Sequence, residues 1–236
     1  MNYQLSDHIY ACEYNGETII LDTIKDKYLL LGPENSTILS LVLNDLHAIQ
    51  EVPNINKYVE DLLRKGILHQ TKSRGNTHKF TKVTSTGAQE VAWRVKEKYI
   101  KRSSPTQFIS AFLSVLNVNL TIRIFGLYRM ICQVRKNGKK FIPRAWVEED
   151  IWSTVNALNT ACYFFPTRNK CLKWSLALAK LLLNKGIKCN VIIGIQNYPF
   201  IAHAWVELED KTVVADDNQL PHNLGIILVE PFGEYK

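Results

Sequence analysis

Two periods of apolar residues alternate along this chain, and the switches between them mark its elements. Residues 8–14 (HIYACEY) and 18–22 (TIILD) are β-rich runs around an Asn-Gly pair, which predicts a hairpin, and 27–32 (KYLLLG) is a third such run. Pro33 and Ser36 then open a helix through ENSTILSLVLNDL, whose apolar positions 38, 39, 41, 42 and 46 lie near helical spacing. After Pro53, Ile55, Tyr58, Val59, Leu62 and Leu63 fall at i, i+3, i+4, i+7 and i+8, and Gly66 stands where a helix-closing glycine belongs. Three strands and two helices without a Cys/His/Asp cluster predict a small α+β unit suited to binding more than to catalysis.

From 71 to about 105 the periodicity fades into polar, basic, turn-rich sequence ending in RSSPT. The expected division is therefore 1–72 as a binding domain, 73–104 as a basic linker and 105–236 as a second domain. That domain opens with apolar helical segments. A helix capped by Thr167 or Asn169 runs to about Asn184 and is closed by Gly186. Its polar positions Lys173, Lys180 and Asn184 make one thin stripe, which predicts a buried central helix. A strand (IKCNVIIGI), a loop (QNYPF) and a hairpin over 201–217 follow.

Composition narrows the classes. The 236 residues are 46% hydrophobic and 22% charged, as in a soluble globular protein. The net charge of +7 gathers in 71–82, 94–102 and 135–140, blocks that read as solvated surface or linker. They lack the patterned basic face with aromatics that nucleic acid requires. Five cysteines, none spaced as C-x-x-C, argue against a disulfide framework and a structural metal site. The N-terminus has no apolar signal core. The apolar stretch 108–128 is broken by Asn117, Asn119 and Arg123, short of a membrane span. The expected location is the cytoplasm, without membrane insertion.

Candidate chemistry lies in the block 166–217. Cys171 sits in the first turn of the apolar helix, where unpaired N–H groups and the helix dipole favour a thiolate and could hold an oxyanion. The alternative is a small buried hydrophobe, as free cysteines often are. On strand 201–209, His203, Trp205 and Glu207 share a face. A two-residue turn at Asp210-Lys211 would oppose Trp205 with Asp216, putting that carboxylate diagonal to His203 and within reach of its Nδ1. An odd-length loop would select Asp217 instead. Trp205 would shield the imidazole, line a peptide groove or simply pack in the core. Nucleophile, base and orienting acid are then Cys171, His203 and Asp216. The papain-type C-G-x-C-W signature is absent, and so is a G-x-x-x-x-G-K-[ST] nucleotide loop.

These residues are familiar as a set. C-L-x-x-S-L-A-L (171–178), G-I-x-x-x-x-x-I-G (186–194) and H-A-W-V-E (203–207), followed by VVADD, resemble the B proteins of lasso-peptide biosynthesis, transglutaminase-like cysteine proteases that remove a precursor's leader. The chain looks most like the fused type found with microcin J25, which carries its own recognition domain. The resemblance implies a winged-helix-like, PqqD-like first domain with a three-stranded sheet. A transglutaminase/papain-like protease domain of helices and antiparallel sheet would follow it. It assigns nucleophile, base and acid to Cys171, His203 and Asp216. It implies that the leader adds as a strand along Lys27, Tyr28, Leu29, Leu30 and Leu31, backed by the helix from Ile55 to Lys65, with Lys57 and Arg64 facing leader carboxylates. The implied partners are the precursor peptide and an ATP-using, asparagine-synthetase-like cyclase; no cofactor of the chain's own is implied. Acyl transfer by the same three residue types and a non-catalytic peptide-binding scaffold are the alternatives.

Overall fold

A computed structural model describes residues 2–44, 55–71, 80–88, 103–165 and 170–233. Leu46, Pro53, the expected caps Thr167 and Asn169, and the basic run 94–102 lie outside them.

The first hairpin pairs β2 (Ile9–Tyr14) with β3 (Glu17–Asp22). Asn15 and Gly16 both take positive φ, 50° and 84°, the geometry that a tight two-residue hairpin turn demands. Strand β4 (Lys27–Leu31) pairs with β3, and helices α1 (Pro33–Asn44) and α2 (Ile55–Arg64) follow. Gly66, at φ 71°, closes α2 as expected.

Three strands that periodicity did not disclose change this half. β1 (Asn2–Leu5) and β5 (Leu68–Thr71) form a two-stranded sheet. β6 (Phe80–Val83), inside the stretch expected as linker, pairs parallel with β2. The expected three-stranded sheet therefore has four strands, in the order β4-β3-β2-β6. β6 is four residues long and gains its place from a partner some 70 positions away, which no local pattern announces.

The second half opens with α3 (Pro105–Lys139), started by Ser104 in a capping box with Gln107 and interrupted at Gly126, φ 81°. α4 (Glu148–Cys162) and α5 (Lys170–Asn184) complete a helical layer. An antiparallel sheet β8-β7-β9 follows, built from β7 (Cys189–Gln196), β8 (Ile201–Leu208) and β9 (Gly225–Glu230), with the single turn α6 (Leu220–Asn223) before β9. By length and composition α3 could cross a membrane. Here its Ala111, Val115, Val118, Met130 and Val134 enter the core. Ile109, Leu113, Leu120, Ile124 and Phe125 stay exposed.

The two halves share that core. β2 is buried at every position. Ile9 and Ala11 face Leu39, Val59 and Leu62 of α1 and α2. Tyr10, Cys12 and Tyr14, with Ile19 and Leu21 of β3, join the residues of α3, α5 and β7. Gly225 marks the closest approach, because an added Cβ would stand 2.8 Å from both Cys12 Sγ and a Tyr14 ring carbon. The Tyr10 hydroxyl donates to Glu230 Oε1 at 2.7 Å, and Arg135 Nε donates to the same oxygen at 2.8 Å, so β2, α3 and β9 meet in one buried charged network. Thr81 Oγ1 donates to the Ile226 carbonyl, fastening β6 to β9.

Candidate active site

β8 is an edge strand, so half of its backbone groups have no strand to bond. The start of α5 takes the Ala204 carbonyl, and the segment after β8 takes others, Val214 N donating to the Val206 carbonyl at 2.9 Å. Ser175 Oγ, fully buried, donates to the Ala204 carbonyl at 3.0 Å. The backbone amides of Ala204 and Leu172 also act on the Cys171 thiol and favour its thiolate. Cys171 and Ser175, at i and i+4 on one helix face, thus both address Ala204 of the strand. Sequence reading passed over Ser175, although it is a hydroxyl on the buried face of an otherwise apolar helix.

His203 and the Cys171 thiol act on each other electrostatically. Burial pushes the Cys171 thiol up, but His203 and the two amides outweigh it, and the thiol ends below its ordinary value. Burial dominates at Cys12 and Cys162, each raised to about 11, and raises Cys189 as well. His203 shows the complementary balance: burial lowers it, whereas Asp216 and Cys171 together raise it to about 9. Its Nε2 lies 2.8 Å from Asp216 Oδ2, in a setting where His203 is 4% exposed and Asp216 7%. The nitrogen facing Asp216 is therefore Nε2 and not the expected Nδ1.

Asp216 reaches His203 by a route other than the expected one. The loop after β8 has three residues, not two: Leu208 N bonds to Thr212 O at 3.0 Å, Glu207 bridges to Val213, and Lys211 takes φ 70°. A three-residue loop closed by a left-handed residue is a common hairpin form, but EDK offers no glycine to announce it. The slip alone would favour Asp217. Ala215, at φ 56°, then breaks the ladder and turns Asp216 back toward the imidazole. No second strand forms over 212–217, only the bridge at Val213. Exposed Asp217 instead accepts the Gln219 N–H at 3.0 Å.

Trp205 lies in the core and lines no groove. It is fully buried among Ile192, Val213, Leu220, Leu224 and Ile226, stacks on the His203 ring with centroids 6.1 Å apart and 18° between planes, and donates to Glu207 Oε1 at 2.8 Å. Gly194 makes room for it, since a Cβ there would meet the indole at 2.6 Å.

The expected peptide-binding residues sit elsewhere. β4 is the outer strand of its sheet; Lys27 is exposed, Tyr28 half-buried and Leu31 buried, while Leu29 and Leu30 are 44% and 41% exposed. Helix α1 packs on β4, Leu31 of β4 shares a core cluster with Ile55, Val59 and Leu62 of α2, and α2 also contacts β5. Lys57 and Arg64 are exposed on α2, and Arg64 pairs with Asp61 at 2.7 Å. Among the described residues no group of three or more His, Cys, Asp or Glu side chains converges as metal ligands would.

Comparison with known proteins bears on the region that holds this geometry. The family model described as the transglutaminase-like superfamily matches residues 113–229, which contain Cys171, His203 and Asp216. The Microcin J25-processing protein McjB of Escherichia coli is 20% identical over 216 residues, covering 91% of this chain and 95% of that protein. No solved structure matches. The chain thus carries a transglutaminase-like region in a mixed α+β fold and is similar over nearly its whole length to a microcin-processing protein.

Proposed function

We propose that this protein is a cytoplasmic cysteine peptidase of lasso-peptide biosynthesis, removing the leader of a ribosomally made precursor. The observation that carries the reading is the Cys171–His203–Asp216 chain at the sealed edge of β8, which favours a thiolate beside an imidazolium. The thiolate attacks the carbonyl at the leader–core junction. His203 passes its proton to the leaving amine, the C–N bond breaks, and the leader remains on Cys171 as a thioester. Water then attacks the thioester as His203 removes its proton, the C–S bond breaks, and the thiolate returns. Asp216 holds the imidazole in place and favours its charged form.

The 1–72 region together with β6 serves as the recognition domain and 105–236 as the protease. The apolar edge of β4 supports strand addition by the leader along Lys27, Tyr28, Leu29, Leu30 and Leu31, with exposed Lys57 available to its carboxylates and Arg64 able to exchange Asp61 for one. The freed core amine is what an asparagine-synthetase-like cyclase would acylate, which makes that enzyme the partner in the reaction. An amine in place of water at the thioester would make the same site an acyltransferase.

The decisive experiment incubates parent and Cys171→Ala protein with a leader-bearing precursor, with and without the cyclase, and reads products by mass. The parent is expected to release intact leader and core from one bond, and the variant neither. Cleavage by Cys171→Ala at the parent rate would sink the mechanism, and leader appearing on an added amine would turn the reading to acyl transfer.

A further inference from the structure

Register sorts the side chains of β4 onto two faces. Tyr28 lies opposite Leu21 and Leu30 opposite Ile19, and residues paired across strands point the same way. Ile19 and Leu21 belong to the core shared with α5 and β7, so Tyr28 and Leu30 also face the half that holds Cys171. Tyr28 packs at the margin of that core, edge-on to Phe200 with ring centroids 5.3 Å apart. Phe200 is 46% exposed and stands immediately before β8, three positions ahead of His203. The phenol is close enough to Cys171 for the thiolate charge to act on it.

The loop carrying Phe200 is fixed to the first half. Asn197 Nδ2 donates to Glu17 Oε2 at 2.9 Å, and Gln196 bonds both backbone groups of Ala88 at 2.8 Å. Leu30, Tyr28 and Phe200 thus form an apolar track from the sheet edge to the start of the strand that carries His203, held by contacts from both halves.

We propose that Tyr28 is a specificity-determining residue, whose ring forms with Phe200 the wall of a subsite for an apolar side chain in the peptide segment just before the cleaved bond. This rests on the peptidase reading: a leader bound along β4 must pass this wall to bring its last carbonyl to Cys171. Two aromatic rings offer a carboxylate nothing to replace its water, whereas they accept an aliphatic side chain readily.

The test uses Cys171 labelling, so no natural precursor is needed. Benzyloxycarbonyl-Leu-Ala chloromethyl ketone and its Glu-Ala counterpart are the probes, each rate divided by the rate with iodoacetamide, which has no side chain to place. The parent is expected to favour the Leu probe by about tenfold or more, the scale on which an apolar pocket discriminates. Tyr28→Ala should bring the ratio to within about threefold, on the same scale, and Tyr28→Phe should keep it. Phe200→Ala, at a more exposed position, should lower it too and serves if Tyr28→Ala does not fold. A parent ratio near one, or a ratio unchanged by both alanine variants, overturns the subsite and leaves the peptidase reading standing. Failure of iodoacetamide to label Cys171 in the parent overturns the nucleophile and the subsite with it.

Discussion

Strand β4 borders one side of the N-terminal sheet and β8 borders one side of the C-terminal sheet, so each leaves a row of backbone groups without a strand partner. The two edges are finished in opposite ways. At β8 a helix start and the segment after the strand close the edge together, and the Ala204 amide acts on the Cys171 thiol. At β4 nothing among the described residues pairs with the outer side, and Leu29 and Leu30 stand exposed beside it. An open apolar edge invites pairing with another chain, so natural sheets usually blunt it with charge or proline. On the function proposed above, the difference separates two uses of one physical feature: a capped edge serves chemistry, and a bare edge supplies a row of groups for docking.

The largest expected effect breaks the open side of this comparison. Glutamates at both Leu29 and Leu30 should weaken binding of a labelled leader, read by fluorescence anisotropy, by about ten- to a hundredfold, since truncating good anchors costs 2 kcal/mol or more. The melting temperature should move by no more than about 2 °C, because exposed substitutions stay within about 0.5 kcal/mol. Binding at parent strength in the double variant would mean that the leader docks elsewhere.

The next effect sharpens the closed side through pH. Cys171 is depressed and His203 raised to about 9, so the thiolate–imidazolium pair spans the interval between them. Cleavage that needs the imidazolium as acid should therefore fall as pH rises through about 9. The same shift has a stability sign. A histidine raised in the folded state contributes stability that is complete below its unfolded value, roughly 6.5, and is lost as pH rises through the folded one. Asp216→Asn removes a raising partner, so the alkaline limb of a kcat/KM profile should move to lower pH; an unmoved limb would assign it to another group. The smallest effect is expected from Ser175→Ala, which leaves the buried Ala204 carbonyl without its donor. It should cost about 1–3 kcal/mol by chemical denaturation and slow Cys171 alkylation, while leader binding at β4 stays intact.

The sequence carried these two edges unequally. The β2–β3 hairpin was legible because Asn-Gly is a strong turn signal, and α2 because five apolar residues keep helical spacing. The grouping of Cys171, His203 and Asp216 was readable from motif order, but the geometry behind it was not. A three-residue loop and a left-handed Ala215 are two departures that cancel, and neither leaves a glycine for the eye. Strands β1, β5 and β6 are only four residues long, and their partners lie far along the chain. Ser175 stood inside a recognised motif without a role, since its purpose shows only against the backbone of a strand 29 residues away.

Gly225 has a further consequence for anyone who would re-target such a protein. Recognition of a new peptide invites transplanting the first 88 residues from a relative onto this chain. The glycine's contact with Cys12 and Tyr14 and the Tyr10–Glu230–Arg135 network mean that the donor would arrive with a mismatched back surface. Compatible chimeras will be those that carry β9 along with the graft, so the exchangeable unit is discontinuous: the beginning of the chain and one strand from near its end.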